Sequence, residues 1–381
     1  MKLRFHCCVK KVFFIPLLFL LATGIALGQK LERLPPATHS EVGVECSQLV
    51  KVKEINSSYD DDILLARPIS LTVDGSGNFF VYDGMLKSVA KFDKNFRYLT
   101  SFMRGGRGPG ETAAGMGMEM GFYKIYYAPD SKIYVSDPLN NKVIVFSPAE
   151  GKHLKDIRLD KSGRLAFSPV VDSRGHLFAM NGMGRIIDEL DINNNMKLVR
   201  TYLDDSLNDN FPIYRPGLDS RAPKQLARKI FAQSGLSFNY YDVTRDNQLL
   251  IFLANPSTLY IFKEDKLVLQ MKIFIQSEME RMRDLALGEI ERAKKDKYGR
   301  SGYISMFRSF FIDKDDDRYF YLCGNMDKMN LYKFSTVGGK LVKILSYSQK
   351  NLVILTKRNN LFYGFSGDNG NPIIFKEDNK K

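Results

Sequence analysis

Between positions 104 and 111 the chain reads Arg-Gly-Gly-Arg-Gly-Pro-Gly-Glu, its densest set of groups able to hold an anion. Glycine tolerates positive φ and can turn backbone N–H groups outward, and each arginine adds a fork of donors. Such a loop suits a carboxylate or a phosphate. It lacks the Gly-x-x-x-x-Gly-Lys-Ser/Thr spacing of a nucleotide phosphate loop. The same composition also suits a structural connector whose arginines pack on their neighbours, and both readings stay open. A second basic stretch holds Arg215, Lys224, Arg228 and Lys229. With Arg104, Arg107 and Glu111 these residues form the expected ligand-binding set, suited to an acidic partner.

Asp83, Asp137, Asn181, Asn255 and Asn325 occupy equivalent places in successive repeats. In a ring fold, equivalent places converge around one axis. A circle of Asp and Asn can bind a cation or sugar hydroxyls, and calcium takes about six to eight oxygen ligands of this kind. The plainer reading is that each residue makes an Asx turn between two strands. The run Asp313-Lys-Asp-Asp-Asp317 starts like a calcium loop, but Arg318 stands where Gly is needed and Gly324 where Glu is needed. It reads as a charged hairpin turn. Catalytic groups are scarce: beyond His6 the histidines are His39, His153 and His176, and no Gly-x-Ser-x-Gly or His-Glu-x-x-His occurs. No cofactor is assigned, and calcium is the one ion that the ring would admit.

The elements that must position these groups are short strands in repeats. An apolar residue and an Asp precede a turn, a β-rich run, a second turn and another β-rich run. The pattern appears at Val73-Asp74 to Phe92, Pro129-Asp130 to Phe146 and Val171-Asp172 to Leu190. Repeats of roughly 40–50 residues built from short strands indicate a propeller. The expected architecture is all-β: a six-bladed β-propeller over 42–375, followed by a charged tail at 376–381. The last repeat looks one strand short, and Val42–Ile55 alternates like a strand that closes the ring. Three insertions, 103–121, 204–235 and 277–302, interrupt the rhythm. Ser277 with Glu280 reads as a capping box that starts an amphipathic, helical insertion. Insertions in repeat proteins map to loops, often on a binding face.

The first 28 residues have a basic start, an apolar run from Val12 to Leu27 and the small-x-small pattern Ala26-Leu27-Gly28. This is the anatomy of a signal peptide cut before Gln29; a retained membrane anchor is the other reading. No Cys follows the run, so a lipoprotein is not indicated. The expected location is periplasmic or extracellular, with no transmembrane segment after processing. Residues 29–41 read as a flexible lead-in. The formal charge of +13 becomes +9 once Lys2, Arg4, Lys10 and Lys11 leave with the leader. In an exported protein a basic surface points away from nucleic acid and toward a protein, a peptide or an anionic glycan. Cys46 and Cys323 remain after processing, too few for a disulfide scaffold. Their assigned strands lie too far apart for a bridge, so both read as free thiols.

The Gly-x-Gly-Pro-Gly-Glu core just after the first repeat resembles a signature of exported bacterial six-bladed β-propeller proteins with NHL-like repeats. Val135-Ser-Asp137 and Asn141-Lys-Val-Ile-Val-Phe146 resemble the repeat itself. The resemblance covers roughly residues 42–375. That family's loop usually continues with an aromatic residue, whereas Thr112 follows Glu111 here. The resemblance implies fold, export and a general binding role. The leading expectation is a non-enzymatic binding protein; a calcium-dependent propeller hydrolase or lyase, lactonase-like, is the alternative.

Overall fold

A computed structural model describes residues 39, 41–56, 65–113, 123–159, 168–181, 186–202, 239–253, 257–278, 280–281, 307–324, 329–348, 352–366 and 370–378. The leader, most of the lead-in and the last residues of the tail lie outside these, as do 114–122, 203–238 and 282–306 of the insertions.

Strand β1 (Glu45–Glu54) comes first. A four-stranded antiparallel meander follows: β2 (Pro68–Val73), β3 (Phe79–Asp83), β4 (Ser88–Phe92) and β5 (Tyr98–Phe102). Two short strands, β6 (Arg104–Gly105) and β7 (Glu111–Thr112), then pair in parallel. The meander recurs as β8 (Ile125–Tyr127), β9 (Ile133–Asp137), β10 (Lys142–Phe146) and β11 (His153–Arg158). It recurs again as β12 (Val170–Val171), β13 (His176–Asn181), β14 (Ile186–Asp191) and β15 (Lys197–Tyr202). The next copy is β16 (Asn239–Val243), β17 (Gln248–Leu253), β18 (Thr258–Lys263) and β19 (Lys266–Lys272). The remaining strands are β20 (Phe307–Ile312), β21 (Tyr319–Gly324), β22 (Met329–Ser335), β23 (Leu341–Tyr347), β24 (Leu352–Arg358), β25 (Leu361–Ser366) and β26 (Pro372–Glu377). With β1 they form one eight-stranded sheet, in the order β20-β21-β22-β23-β1-β26-β25-β24.

The arrangement is propeller-like. Innermost strands touch one another in succession: β12 meets β16, β16 meets β20, β20 meets β24, β24 meets β2, and β2 meets β8. Those strands line an axis, while outer strands such as β5 and β19 face water. Aromatic pairs fill equivalent places in the sheets. Phe79 stacks on its cross-strand partner Phe92 at 4.6 Å, and Phe320 on Phe334 at 5.2 Å. The register between third and fourth strands slips at the same place in five sheets, at Phe92, Phe146, Leu190, Phe262 and Phe334. A bulge at that point increases the local twist, which a radial blade needs.

β1 does more than complete one sheet. Its first half runs parallel to β23, from Glu45 opposite Lys343 to Gln48 opposite Ser346. Its second half runs antiparallel to β26, with Lys51 opposite Phe375 and Glu54 opposite Ile373. The pairing with β26 follows the expectation from Val42–Ile55; the pairing with β23 is additional. The Lys343 ammonium bridges Glu45 and Glu377 at 2.5 Å each, at the point where the three strands meet.

The helix differs from its expectation. The described helical residues are 276–278, 280 and 281, so Ser277 lies within the first turn and not before it. Its N–H and hydroxyl both donate to the Glu41 carboxylate, at 3.2 and 3.0 Å, in place of a reciprocal box with Glu280. Glu280 instead accepts from the Gln276 amide at 2.6 Å. A carboxylate from outside the helix therefore satisfies its first turn. Glu41 and His39 belong to the segment read as a flexible lead-in. His39 forms a parallel bridge with Ile275 and meets the Phe334 ring edge-on at 5.2 Å.

Both cysteines are free, Cys46 exposed and Cys323 buried. Cys46 lies opposite Ile344 on β23, and β22 separates β23 from β21, where Cys323 sits. Three strand spacings give roughly 14 Å, well beyond the ~7 Å that a disulfide tolerates. Burial also pushes the Cys323 thiol up to about 11. Iodoacetamide should therefore modify Cys46 in the folded protein and Cys323 only after denaturation, as read by peptide mass spectrometry. Equal labelling of both thiols without denaturant would contradict this packing.

Candidate functional site

The connections between one meander and the next leave from the ends of β5, β11, β15 and β19. Strand polarity puts these ends on the same face as Asp83 and Asp137. The three interruptions of the repeat are therefore rooted on one face. The hairpins that begin at Asp74, Asp172 and Asp313 lie on the opposite face.

The glycine-rich loop is docked against the second meander. Lys142 is fully buried, and its ammonium donates to the Gly108 carbonyl at 2.7 Å and to Asp156 at 2.8 Å. Asp156 also lies 2.9 Å from His153 Nε2 and accepts the Gly110 N–H at 3.2 Å. The Asn140 amide donates to the Gly106 carbonyl, and Thr112 meets the Tyr82 hydroxyl at 2.9 Å. Within the loop, the Glu111 carboxylate accepts the Gly108 N–H at 2.9 Å and the Arg104 guanidinium at 2.8 Å. These two donors hold its carboxyl below the ordinary range. A Cβ at Gly106 would stand 2.0 Å from that carboxylate, so the glycine is needed for the close approach. Arg107 is exposed, and the Arg104 side chain is 83% exposed. Arg215, Lys224, Arg228 and Lys229 lie outside the described residues.

The two aspartates of the expected axial ring are spent on backbone. Asp83 is fully buried and accepts four N–H groups, from Ala66, Arg67, Met85 and Leu86, at 2.7–2.9 Å. It ties the chain leading into β2 to the turn after β3. Asp137, also fully buried, accepts from Ala113 and from the backbone and amide of Asn140. Asn181 ends β13, and Asn255 and Asn325 lie outside the described residues. In register, Gly324 opposite Phe307 corresponds to Asp83 opposite Pro68. A Cβ at Gly324 would meet the Glu278 carboxylate at 2.0 Å, so the helix brings an acid to the place where the strand lacks one.

On the opposite face, Asp172, His176 and Glu189 bring ligand atoms within 4.8 Å of one another. Arg174 reaches both acids, at 2.6 and 3.1 Å, Arg200 lies 2.8 Å from Glu189, and the Tyr202 hydroxyl donates to it at 2.6 Å. Two guanidinium groups already neutralise the acids that a cation would need. The Asp313–Asp317 turn is likewise engaged. Lys357 pairs with Asp313 and Asp315 at 3.0 Å, and Arg245 N–H donates to Asp317 at 2.8 Å. These contacts tie neighbouring sheets together.

A third cluster has no counterpart among the expected site residues. Tyr126 on β8 reaches Asp242 on β16 at 3.4 Å, across the intervening β12, which places both at the axis. Lys314 pairs with Asp242 at 2.7 Å, and Lys124 lies over the Tyr126 ring at 5.4 Å. The signal in the sequence was a lone lysine between Tyr123 and the Ile125–Tyr127 strand. An inner strand has only the axis to offer such a charge.

No known family profile matches the chain, and no curated relative does. Among solved structures, a Bacteroides fragilis NCTC 9343 protein provisionally described as exported is 11% identical over 90% of this chain and 98% of its own, with a TM-score of 0.52. The β-propeller domain of Swd1 from Myceliophteria thermophila is 10% identical over 86% and 99%, with a TM-score of 0.47. Virginiamycin B lyase from Staphylococcus aureus is 11% identical over 85% and 87%, with a TM-score of 0.44. Such likeness concerns fold alone; the all-β, propeller-like character rests on the sheet arrangement itself. No helix among the described residues is long and apolar enough to cross a membrane.

The Lys142–Asp156 pair generates a test. Burial would raise the Asp156 carboxyl, but Lys142, His153 and the Gly110 N–H outweigh it and hold the group below its ordinary 3.8. The stabilisation is therefore fully present above that value and is lost as pH falls through the lowered folded value. Asp156→Asn strands a buried ammonium and should cost about 3 kcal/mol. It should also flatten the acid limb of the melting curve below about pH 4 and speed tryptic cutting after Arg104 or Arg107. Unchanged stability and unchanged cutting would show that the loop is held otherwise.

Proposed function

We propose that this chain is an exported six-bladed β-propeller that binds a protein, a peptide or an anionic glycan and does not itself catalyse a reaction. The observation that carries the reading is a contrast. The acids that could serve catalysis or cation binding, Asp83, Asp137, Glu111 and Glu189, are engaged by the chain's own N–H groups and cations. Arg104 and Arg107 are exposed on a connection held rigidly from beneath. A rigid platform with exposed cations costs little ordering on binding and attracts an acidic surface.

Six blades are supported by four separate meanders and by an eight-stranded sheet that divides into β20–β23 and β24–β26 with β1. Export rests on the leader anatomy of residues 1–28, and NHL-like character on the Gly-Pro-Gly-Glu loop. The alternative, a calcium-dependent hydrolase or lyase, needs oxygen ligands that are open to an ion.

The test is a pull-down from envelope extract with the wild-type chain and with Arg104→Glu/Arg107→Glu, beside a calcium titration of the melting temperature. The reading predicts a partner that the double variant retains at least tenfold less well. Capture should weaken as salt shortens screening to about 8 Å. Equal retention by the double variant would remove the loop from the site. A large calcium-dependent rise in melting temperature would favour the enzyme.

A further inference from the structure

Among the described residues, the axis holds more positive charge than the carboxylate of Asp242 balances. Lys124 Nζ lies 5.4 Å from the Tyr126 ring centre and 5.9 Å from that of Tyr241. Lys314 Nζ lies 5.5 Å from the same Tyr126 ring. Among the described residues, the acid beside them is Asp242, which is 5% exposed. That acid is fully used. One oxygen accepts Lys314 at 2.7 Å and the Ile312 N–H at 3.4 Å; the other accepts the Val243 N–H at 2.9 Å and the Tyr126 hydroxyl at 3.4 Å.

Lys124 therefore has aromatic faces but no carboxylate within ion-pair reach among the described residues. Ring faces attract an ammonium weakly compared with an anion. On the next residue, Arg358 sits 5.5 Å over the Tyr127 ring and donates to the Val73 carbonyl at 3.0 Å. It adds charge of the same sign. Asp172 also acts on Tyr126 at longer range, but Arg174 neutralises it at 2.6 Å. Both ammonium groups are partly covered, and two of them beside one engaged acid leave a place for a second negative charge.

We propose that the propeller axis is a binding site for a small oxyanion, a carboxylate or a phosphate, held by Lys124 and Lys314 beside the Tyr126 ring. The site is separate from the Arg104–Arg107 loop and stands whether or not that loop binds a partner. Desolvation, and after it the neighbouring Lys314, brings the Lys124 ammonium down to about 8 against the opposing pull of Asp242. The site should then release its anion as pH rises through that value.

Calorimetric titration of the full chain with inorganic phosphate, and in a parallel arm with succinate, tests the proposal and separates the two chemistries. At pH 6.5 one of the two should bind with a measurable Kd. Lys124→Met should weaken it at least about tenfold, the equivalent of losing one charge-assisted hydrogen bond. Lys124→Arg should retain most of the affinity, and Arg104→Glu/Arg107→Glu should leave it unchanged. Succinate keeps its charge above pH 6.5, so its affinity should fall between pH 7 and pH 9.5 in the wild type. That profile needs no variant to fold. Absence of binding by both probes, a flat pH profile, or equal affinity in Lys124→Met would overturn the proposal.

Discussion

The structure depends on the seam that β1 makes between β23 and β26. Without it, each of these strands would expose an edge with unpaired N–H and C=O groups. Here one strand of ten residues meets β23 with its first half and β26 with its second. It contributes little apolar burial: Leu49 is the one fully covered side chain along it, and Ile55 follows just beyond. Its hold is backbone pairing, fixed in register by Lys343 between Glu45 and Glu377. The segment before it is fastened as well, through His39 against Ile275 and Glu41 against Ser277. The start of the chain's described part thus spans the seam between the sheets that come last in sequence.

With that seam made, side-chain chemistry is spent largely on geometry. Asp83 and Asp137 draw backbone donors from two segments to one point each, which fixes where a sheet begins relative to its own second hairpin. Glu278 reaches from the helix to the Tyr332 hydroxyl at 3.0 Å, and its carboxylate lies where a Cβ at position 324 would stand. On the other face, Asp313, Asp315 and Asp317 tie hairpins to their neighbours. Lys142 and Asp156 fasten the glycine-rich connection. What is left facing outward is the exposed Arg107 and the Arg104 side chain, 83% exposed although paired with Glu111.

Much of the fold was legible because repetition multiplies a weak signal. Single strands of five residues are ambiguous, but an apolar-Asp-turn pattern repeated at Asp74, Asp130 and Asp172 is not. The closing strand was legible from a missing partner in the last repeat. Its parallel pairing with β23 was not, since nothing local in Glu45–Gln48 marks a second neighbour. Ser277 and Glu280 have the spacing of a capping box. A carboxylate from Glu41, 236 positions earlier, took the role instead, and no window of sequence reveals that. The site was less legible than the fold. Composition cannot tell whether the arginines of a glycine-rich loop face a ligand or a neighbour; Lys142, at the start of β10, decides how the loop is docked. The meeting of Lys124, Asp242 and Lys314 needs three inner strands to converge, and equivalent repeat positions alone do not indicate it.

Hydrogen–deuterium exchange along β1 bears most directly on this seam. If β1 is the seam, its hydrogen-bonded amides open only when the whole propeller unfolds, and they exchange as slowly as those of the interior strands β21 and β22. Fast exchange across residues 45–54, with β21 and β22 still protected, would mean that the ring holds without the strand, and would contradict this account.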